Sequence, residues 1–237
     1  HLDLDRNTLS GTIPNEIGLL RTLKFVHLNE NMLTGTLPSI IGNCSSLEML
    51  SLYENTLSGT LPPSLGKLTQ LKYLWLGGNS FSGSIPASML KPGNLRRLEH
   101  FHVNNNHISG TIPPDFSHLS QLMTIQIATN RISGTIPKQL GQLSLLTWAY
   151  IQDNALTGTI PAQIMGNPGS QLLVLAAHNN SLTGTIPASI CNVRSLQYLG
   201  LTKNALTGAL PACIGNLSNL SKIELSNNAL SGAIPEG

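Results

Sequence analysis

Leu50-Ser51-Leu52-Tyr53-Glu54-Asn55-Thr56-Leu57-Ser58-Gly59-Thr60-Leu61-Pro62 is one copy of a pattern that fills the chain. In general form it reads Leu-x-Leu-x-x-Asn-x-Leu-x-Gly-x-Ile-Pro. Its asparagine recurs at Asn7, Asn31, Asn55, Asn79, Asn106, Asn130, Asn154, Asn180, Asn204 and Asn228. The spacing is 24 residues, except for 27 before Asn106 and 26 before Asn180. The additional residues fall in Lys91-Pro92-Gly93 and Asn167-Pro168-Gly169, which read as loop insertions. All ten copies keep the Gly and the Pro, which accounts for ten of the 22 glycines and ten of the 14 prolines. These residues are therefore the punctuation of a repeat and not a sign of disorder.

Each position has a physical job. The Leu-x-Leu stretch alternates, which predicts a short strand with one buried face. Strands of successive repeats then stack as a parallel sheet, about 4.8 Å apart. The Asn ends the strand, where its amide is expected to bond backbone groups of its own repeat and of the next. Leu57 to Leu61 alternates again and reads as a second, shorter strand. Pro62 ends that ladder, having no N–H to give. Ser64-Leu65-Gly66-Lys67-Leu68 returns along the outer side as a helical turn. One repeat cannot bury its apolar side alone, so its neighbours supply the core. The expected fold is an α/β solenoid with a concave parallel β-sheet, a short second sheet and helical or 3-10 turns outside. Residues 1–237 form a single array of ten copies, the first and last incomplete.

Composition narrows the function. Charged residues make up 10% of the 237, against about 25% in ordinary soluble domains. The 13 basic residues are scattered and the formal charge is +2, so no nucleic-acid partner is expected. No apolar run has the length of a membrane span, and no signal peptide is visible. These residues are thus expected to make no membrane contact. The chain opens on His1-Leu2-Asp3-Leu4, already inside a repeat, so the beginning of a longer protein is expected to be missing. No Ser-His-Asp arrangement, phosphate-binding glycine loop or paired-carboxylate spacing is present. Asp3 and Asp5 share a strand face, but only on the broken first strand. Neither an enzyme nor a cofactor is expected. Of Cys44, Cys191 and Cys213, the first falls where other repeats place an apolar residue and reads as a buried thiol. Cys191 and Cys213 lie on adjacent repeats at different phases. A bridge between them is possible but is not the expectation.

The pattern with Gly-x-Ile-Pro resembles the plant-specific leucine-rich repeats. These occur in ectodomains of plant receptor-like kinases and receptor-like proteins, in polygalacturonase inhibitors and in algal relatives. Ile41-Gly42-Asn43-Cys44-Ser45-Ser46-Leu47 is especially similar to the receptor-kinase ectodomains. The resemblance covers the whole chain. It implies a right-handed superhelix with a concave strand face and an extracellular or cell-surface setting. The cysteine-bearing caps that flank such arrays are missing, and the chain stops in mid-repeat at Pro235-Glu236-Gly237. It is expected to be a fragment, or a unit whose ends partners cover, with end-to-end self-association as one way to cover them.

Ligand recognition falls to the positions six, four, two and one before each Asn. Both tryptophans, all four tyrosines and five of the seven histidines lie there, in a chain only 4% aromatic. Trp and Tyr offer rigid area with a hydrogen-bonding tip, the chemistry of binding hot spots. Aromatic side chains also suit a sheet for structural reasons alone, but that does not explain why the core positions hold no Trp or Tyr. The candidates are Tyr73, Trp75, His100, His102, Trp148, Tyr150 and Tyr198, with Tyr53, Glu54, Asp153 and His178 as polar contributors. The partner is expected to be a peptide, a protein or a glycan. His100 and His102 alternate on one strand, yet no third ligand sits beside them, so no metal is expected.

A second surface is regular. Three residues after each Asn stands Ser or Thr in all ten copies. Five residues after it stand Thr12, Thr36, Thr60, Ser84, Thr111, Thr135, Thr159, Thr185, Ala209 and Ala233. The columns form a Thr-Gly-Thr array of about 7 by 4.8 Å. Such arrays resemble the ice-binding faces of antifreeze solenoids, which makes ice the rival ligand. A structural filament is a third reading. Sequons at Asn43, Asn179, Asn216 and Asn219 are candidate glycosylation sites.

Overall fold

The first strand of every repeat joins one ten-stranded parallel sheet. The computed structural model describes residues 1–166 and 169–235. The strands Leu2–Asp3, Phe25–His27, Met49–Ser51, Tyr73–Trp75, His100–His102, Thr124–Gln126, Trp148–Tyr150, Val174–Ala176, Tyr198–Gly200 and Lys222–Glu224 pair strictly in chain order. The register lines up the same phase of every repeat. Tyr73 pairs with His100 and Trp148 with Val174, although insertions lie between the partners. The insertions are thus absorbed outside the sheet. Of the second, Asn167 and Pro168 lie outside the described residues.

The second strands form a shorter parallel ladder on the adjoining side. It has runs of two, three and five strands, from Ser10–Thr12 to Ala229–Leu230. Single bridges, Thr36 to Ser58 and Thr111 to Ser133, join the runs. The outer turns are 3-10 helices in the described residues, except for the α-helical turn Ala162–Gly166. Between these three sides lies one continuous core of Leu and Ile. At mid-array it is filled by Phe81, Phe101 and Phe116, all fully buried. The rings of Phe101 and Phe116 meet edge to face with centroids 5.2 Å apart.

The asparagine ladder corrects one expectation. From Asn31 to Asn228 each amide bonds its own repeat and the preceding one, not the next. Asn106 shows the pattern: its Oδ1 accepts from the Phe81 N–H at 2.8 Å. Its Nδ2 donates to Leu76 O, Val103 O and Asn104 O at 3.0, 3.1 and 3.1 Å. The direction follows from the turn, which carries the Asn side chain back beneath the neighbouring strand end. Just before each Asn the backbone enters the left-handed region. There φ is 53° at Glu30, 52° at Glu54, 53° at Thr129 and 55° at Asp153. This conformation costs an ordinary residue about 1–2 kcal/mol. It is held by backbone bonds to the next repeat, such as Glu30 N to Tyr53 O at 2.9 Å. It also aims the side chain at the concave rim.

Cys191 and Cys213 form a disulfide with Cα atoms 5.8 Å apart, within the usual range. The outer turns explain why their unequal phases match. Neighbouring turns are staggered by two residues, so the position eleven after one Asn faces the position nine after the next. A side chain at Gly42 would strike Ser64, and one at Gly18 would strike Ile40. Cys191 and Cys213 occupy that facing pair. Cys44 is fully buried as expected, and its thiol donates to Ile17 O at 3.2 Å. Burial pushes its pKa up, which keeps it a thiol.

Candidate functional site

The alternation of the first strands sends residues six and four before each Asn to the concave face. Tyr73 and Trp75 stand on one strand, and His100 and His102 on the next. Tyr73 stacks on His100 at 5.0 Å, with ring planes 7° apart. Trp75 lies over His102 at 5.9 Å and 13°. Along each strand the rings meet edge on, at 5.7 Å for Tyr73–Trp75 and 5.9 Å for His100–His102. The result is a two-by-two platform of half-buried rings. His100 Nδ1 is 3.1 Å from Thr124 Oγ1.

Burial disfavours the charged form of both imidazoles. The pKa of His102 falls from 6.5 to about 4, through desolvation first and His100 second, and that of His100 also falls. This has a consequence for stability. Below pH 6.5 the unfolded chain takes up the His102 proton and the folded one does not. Stability is therefore full above 6.5 and drains away as pH falls towards 4. A His102→Phe variant, followed by thermal unfolding, is expected to lose about 2 kcal/mol less than wild type across that window. Parallel stability curves for the two proteins would contradict it.

The other candidates fall into separate groups. Tyr53 donates to Glu30 Oε1 at 2.7 Å, and Arg6 Nε donates to the same oxygen at 3.2 Å. Both bonds hold the Glu30 carboxyl below its usual pKa, the Tyr53 bond more strongly. Trp148 and Tyr150 stand two strands from the platform, with Thr124–Gln126 between. Asp153 Oδ2 lies 3.7 Å from His178 Nε2, and its Oδ1 accepts from Asn179 Nδ2 at 2.6 Å. Tyr198 donates to Glu224 Oε2 at 2.6 Å beneath Lys222, whose Nζ is 5.2 Å from the ring. Burial and then Glu224 push Tyr198 up to about 12. The charges Arg6, Glu30, Lys222 and Glu224 share this face and were not singled out by the aromatic pattern. Their columns were visible in the sequence, but the bonds from Tyr53 to Glu30 and from Tyr198 to Glu224 run diagonally between repeats. No group of three or more metal-ligating side chains is found among the described residues.

The second ladder builds the other surface. All ten repeat glycines have positive φ, from 72° at Gly158 to 90° at Gly232. All but Gly11 lie against the preceding repeat: a side chain at Gly134 would strike the Thr111 methyl, and one at Gly158 the Thr135 methyl. Thr12, Thr36, Thr60, Thr159 and Thr185 meet the next glycine in the same way. The column alongside donates inward, as in Ser58 Oγ to Gly35 O and Ser133 Oγ to Gly110 O, both at 3.2 Å. Ser84 interrupts the methyl row, leaving runs of three and four threonines with a shallow groove along each.

Among the sequons, Asn43 lies half-buried on an outer turn and Asn216 exposed on another. The amides of Asn219 and Asn179 are engaged, with Arg194 O at 2.8 Å and with Asp153.

Two family models described as leucine rich repeat match this chain. One covers residues 21–81, and the other covers 1–20, 97–119 and 195–217. The chain is a leucine-rich-repeat protein of the plant type. Among solved structures the solenoid is similar to the ectodomain of the Arabidopsis thaliana receptor kinase GASSHO1/SCHENGEN3, solved with CASPARIAN STRIP INTEGRITY FACTOR 2. The two share 36% identity and a TM-score of 0.94, over 98% of this chain and 27% of that one. The plant peptide hormone receptor RGFR1, solved with RGF2, is 33% identical with a TM-score of 0.93, over 99% and 36%. A plant ice-binding protein is 28% identical with a TM-score of 0.87, over 100% and 74%. The solenoid thus spans about a third or less of the receptor ectodomains. No curated protein sequence matches it.

Proposed function

We propose that this leucine-rich-repeat chain is a non-enzymatic, extracellular recognition module that holds a peptide or protein on its concave face. The observation that carries this reading is the platform of Tyr73, Trp75, His100 and His102. Its four half-buried rings lie on adjacent strands, outside the core. Rigid aromatic area of this kind binds at low entropic cost. Trp148, Tyr150, Asp153, His178 and Tyr198 extend the face towards the C-terminal repeats, with Tyr53 and Glu54 at the other side. The likeness to receptor ectodomains solved with peptide hormones supports a peptide over a glycan. Glycans at Asn43 and Asn216, whose amides are not tied to other residues in the described structure, leave the face open.

The test uses peptides selected on the wild-type protein from a random displayed library. Trp75→Ala and Trp148→Ala are each expected to weaken binding about tenfold or more while melting as wild type does. Unchanged affinity in both folded variants would remove the proposal.

The threonine rows support a second reading, ice binding. The methyls are fixed against glycines, the columns themselves hold no charged residue although Lys138 borders the groove, and an ice-binding protein shares the fold. A thermal-hysteresis assay decides it. Activity lost in Thr111→Tyr with Thr135→Tyr would favour ice, and wild type without activity would dismiss it.

A further inference from the structure

One small pocket opens on the concave face between Tyr53, Glu54, Trp75, Gly77, His102 and Asn104, enclosing about 320 Å³. Residue 77 creates it. Any side chain there would run into the Asn104 amide, and at the equivalent position other repeats carry Tyr53, Gln152 or His178. Gly78 beside it leaves room for the Glu54 carboxylate, which folds over its Cα. That carboxylate is unlike its neighbours. Glu30 is tied to Arg6 and Tyr53, Asp153 to His178 and Asn179, and Glu224 to Lys222 and Tyr198. Among the described residues no cationic side chain is paired with Glu54 within 4.0 Å. The uncompensated charge faces the rings of Trp75, Tyr53 and a neutral His102.

We propose that this pocket receives an arginine side chain of the peptide ligand, its guanidinium stacked on the Trp75 indole and donating to the Glu54 carboxylate. A guanidinium suits the site on both counts. It is planar and weakly hydrated, so it stacks on an indole, and its fork of N–H donors matches a carboxylate. A neutral sugar would leave Glu54 without its counter-charge, and an acidic side chain would be repelled. The proposal rests on the concave face being the ligand-binding face, and it names what one part of that face selects.

The experiment is an NMR titration of the intact chain with N-acetyl-arginine methylamide. It follows the two tryptophan indole resonances, assigned with Trp148→Phe. The Trp75 resonance is expected to shift saturably, with a Kd of the order of millimolar. The uncharged citrulline analogue, and separately Glu54→Gln, are each expected to weaken the effect about fivefold or more. A Trp75 resonance that stays put, equal shifts from arginine and citrulline, or no effect of Glu54→Gln would each overturn the assignment. If library peptides still depend on Trp75 and Trp148 while arginine fails, the pocket assignment falls and the concave face stands. If neither binds through the concave face, both fall.

Discussion

Asn106→Ala is expected to destabilise the solenoid by about 3 kcal/mol. The amide is 6% exposed and makes four hydrogen bonds. Its loss leaves the Phe81 N–H unpaired and takes one of two donors from Leu76 O, Val103 O and Asn104 O, which keep Asn79 Nδ2, Asn130 Nδ2 and the Gly78 N–H. A buried group left unpaired costs about 1–3 kcal/mol, and partial relaxation keeps the sum near the upper end for one group. Asn106→Asp sharpens the argument, because it keeps the shape. The carboxylate would turn acceptor oxygens towards Leu76 O, Val103 O and Asn104 O, where the amide donates. It is expected to be at least as harmful as alanine. Asn7 is the control: it is exposed and bonds only Leu4 O and Asp5 O in its own repeat. Asn7→Ala is expected to cost less than about 0.5 kcal/mol. Repeat arrays need not unfold in one step, so hydrogen exchange at the Phe81 amide is the local check. Wild-type protection there in Asn106→Ala would refute the role given to the ladder.

Replacing Cys191 and Cys213 together by serine is expected to remove about 3 kcal/mol. The bridge closes a sequence separation of 22 residues. Loop-closure entropy for a loop of that size gives about 3 kcal/mol. The effect should be local, because repeats contact only their neighbours. Exchange should quicken from Tyr198 to the end of the array and stay unchanged around Phe101. Uniform loosening of the array, or none, would show that the bridge does not staple these two turns.

How far these features could be read in advance depends on whether one repeat contains them. The Leu, Asn, Gly and Pro columns encode both ladders and the core, because each acts within its own repeat or on an identical neighbour. The concave aromatics were equally legible, since strand alternation alone decides where Tyr73 and Trp75 point. The disulfide was not. Its stagger of two residues comes from how outer turns nest, and Gly18 and Gly42 marked one side of that contact without naming its partner. The direction of the Asn bonds was likewise hidden, since it depends on which strand end the side chain passes beneath. The left-handed turn before each Asn gave little warning, as Glu30, Thr129 and Lys203 are ordinary side chains in an unusual backbone. Pairs such as Tyr53–Glu30 and Tyr198–Glu224 join different columns of adjacent repeats, so no single column displays them.

The division of labour between the two surfaces is the centre of this account. On the reading proposed above, the irregular concave face selects a ligand, and the regular threonine face is scaffold. Affinity measurements on library-selected peptides test it most directly, comparing Trp75→Ala/Trp148→Ala with Thr111→Tyr/Thr135→Tyr. The account predicts that the first pair loses binding about tenfold or more and the second binds as wild type does. Peptides that bind the tryptophan variant normally and fail on the threonine variant would contradict it.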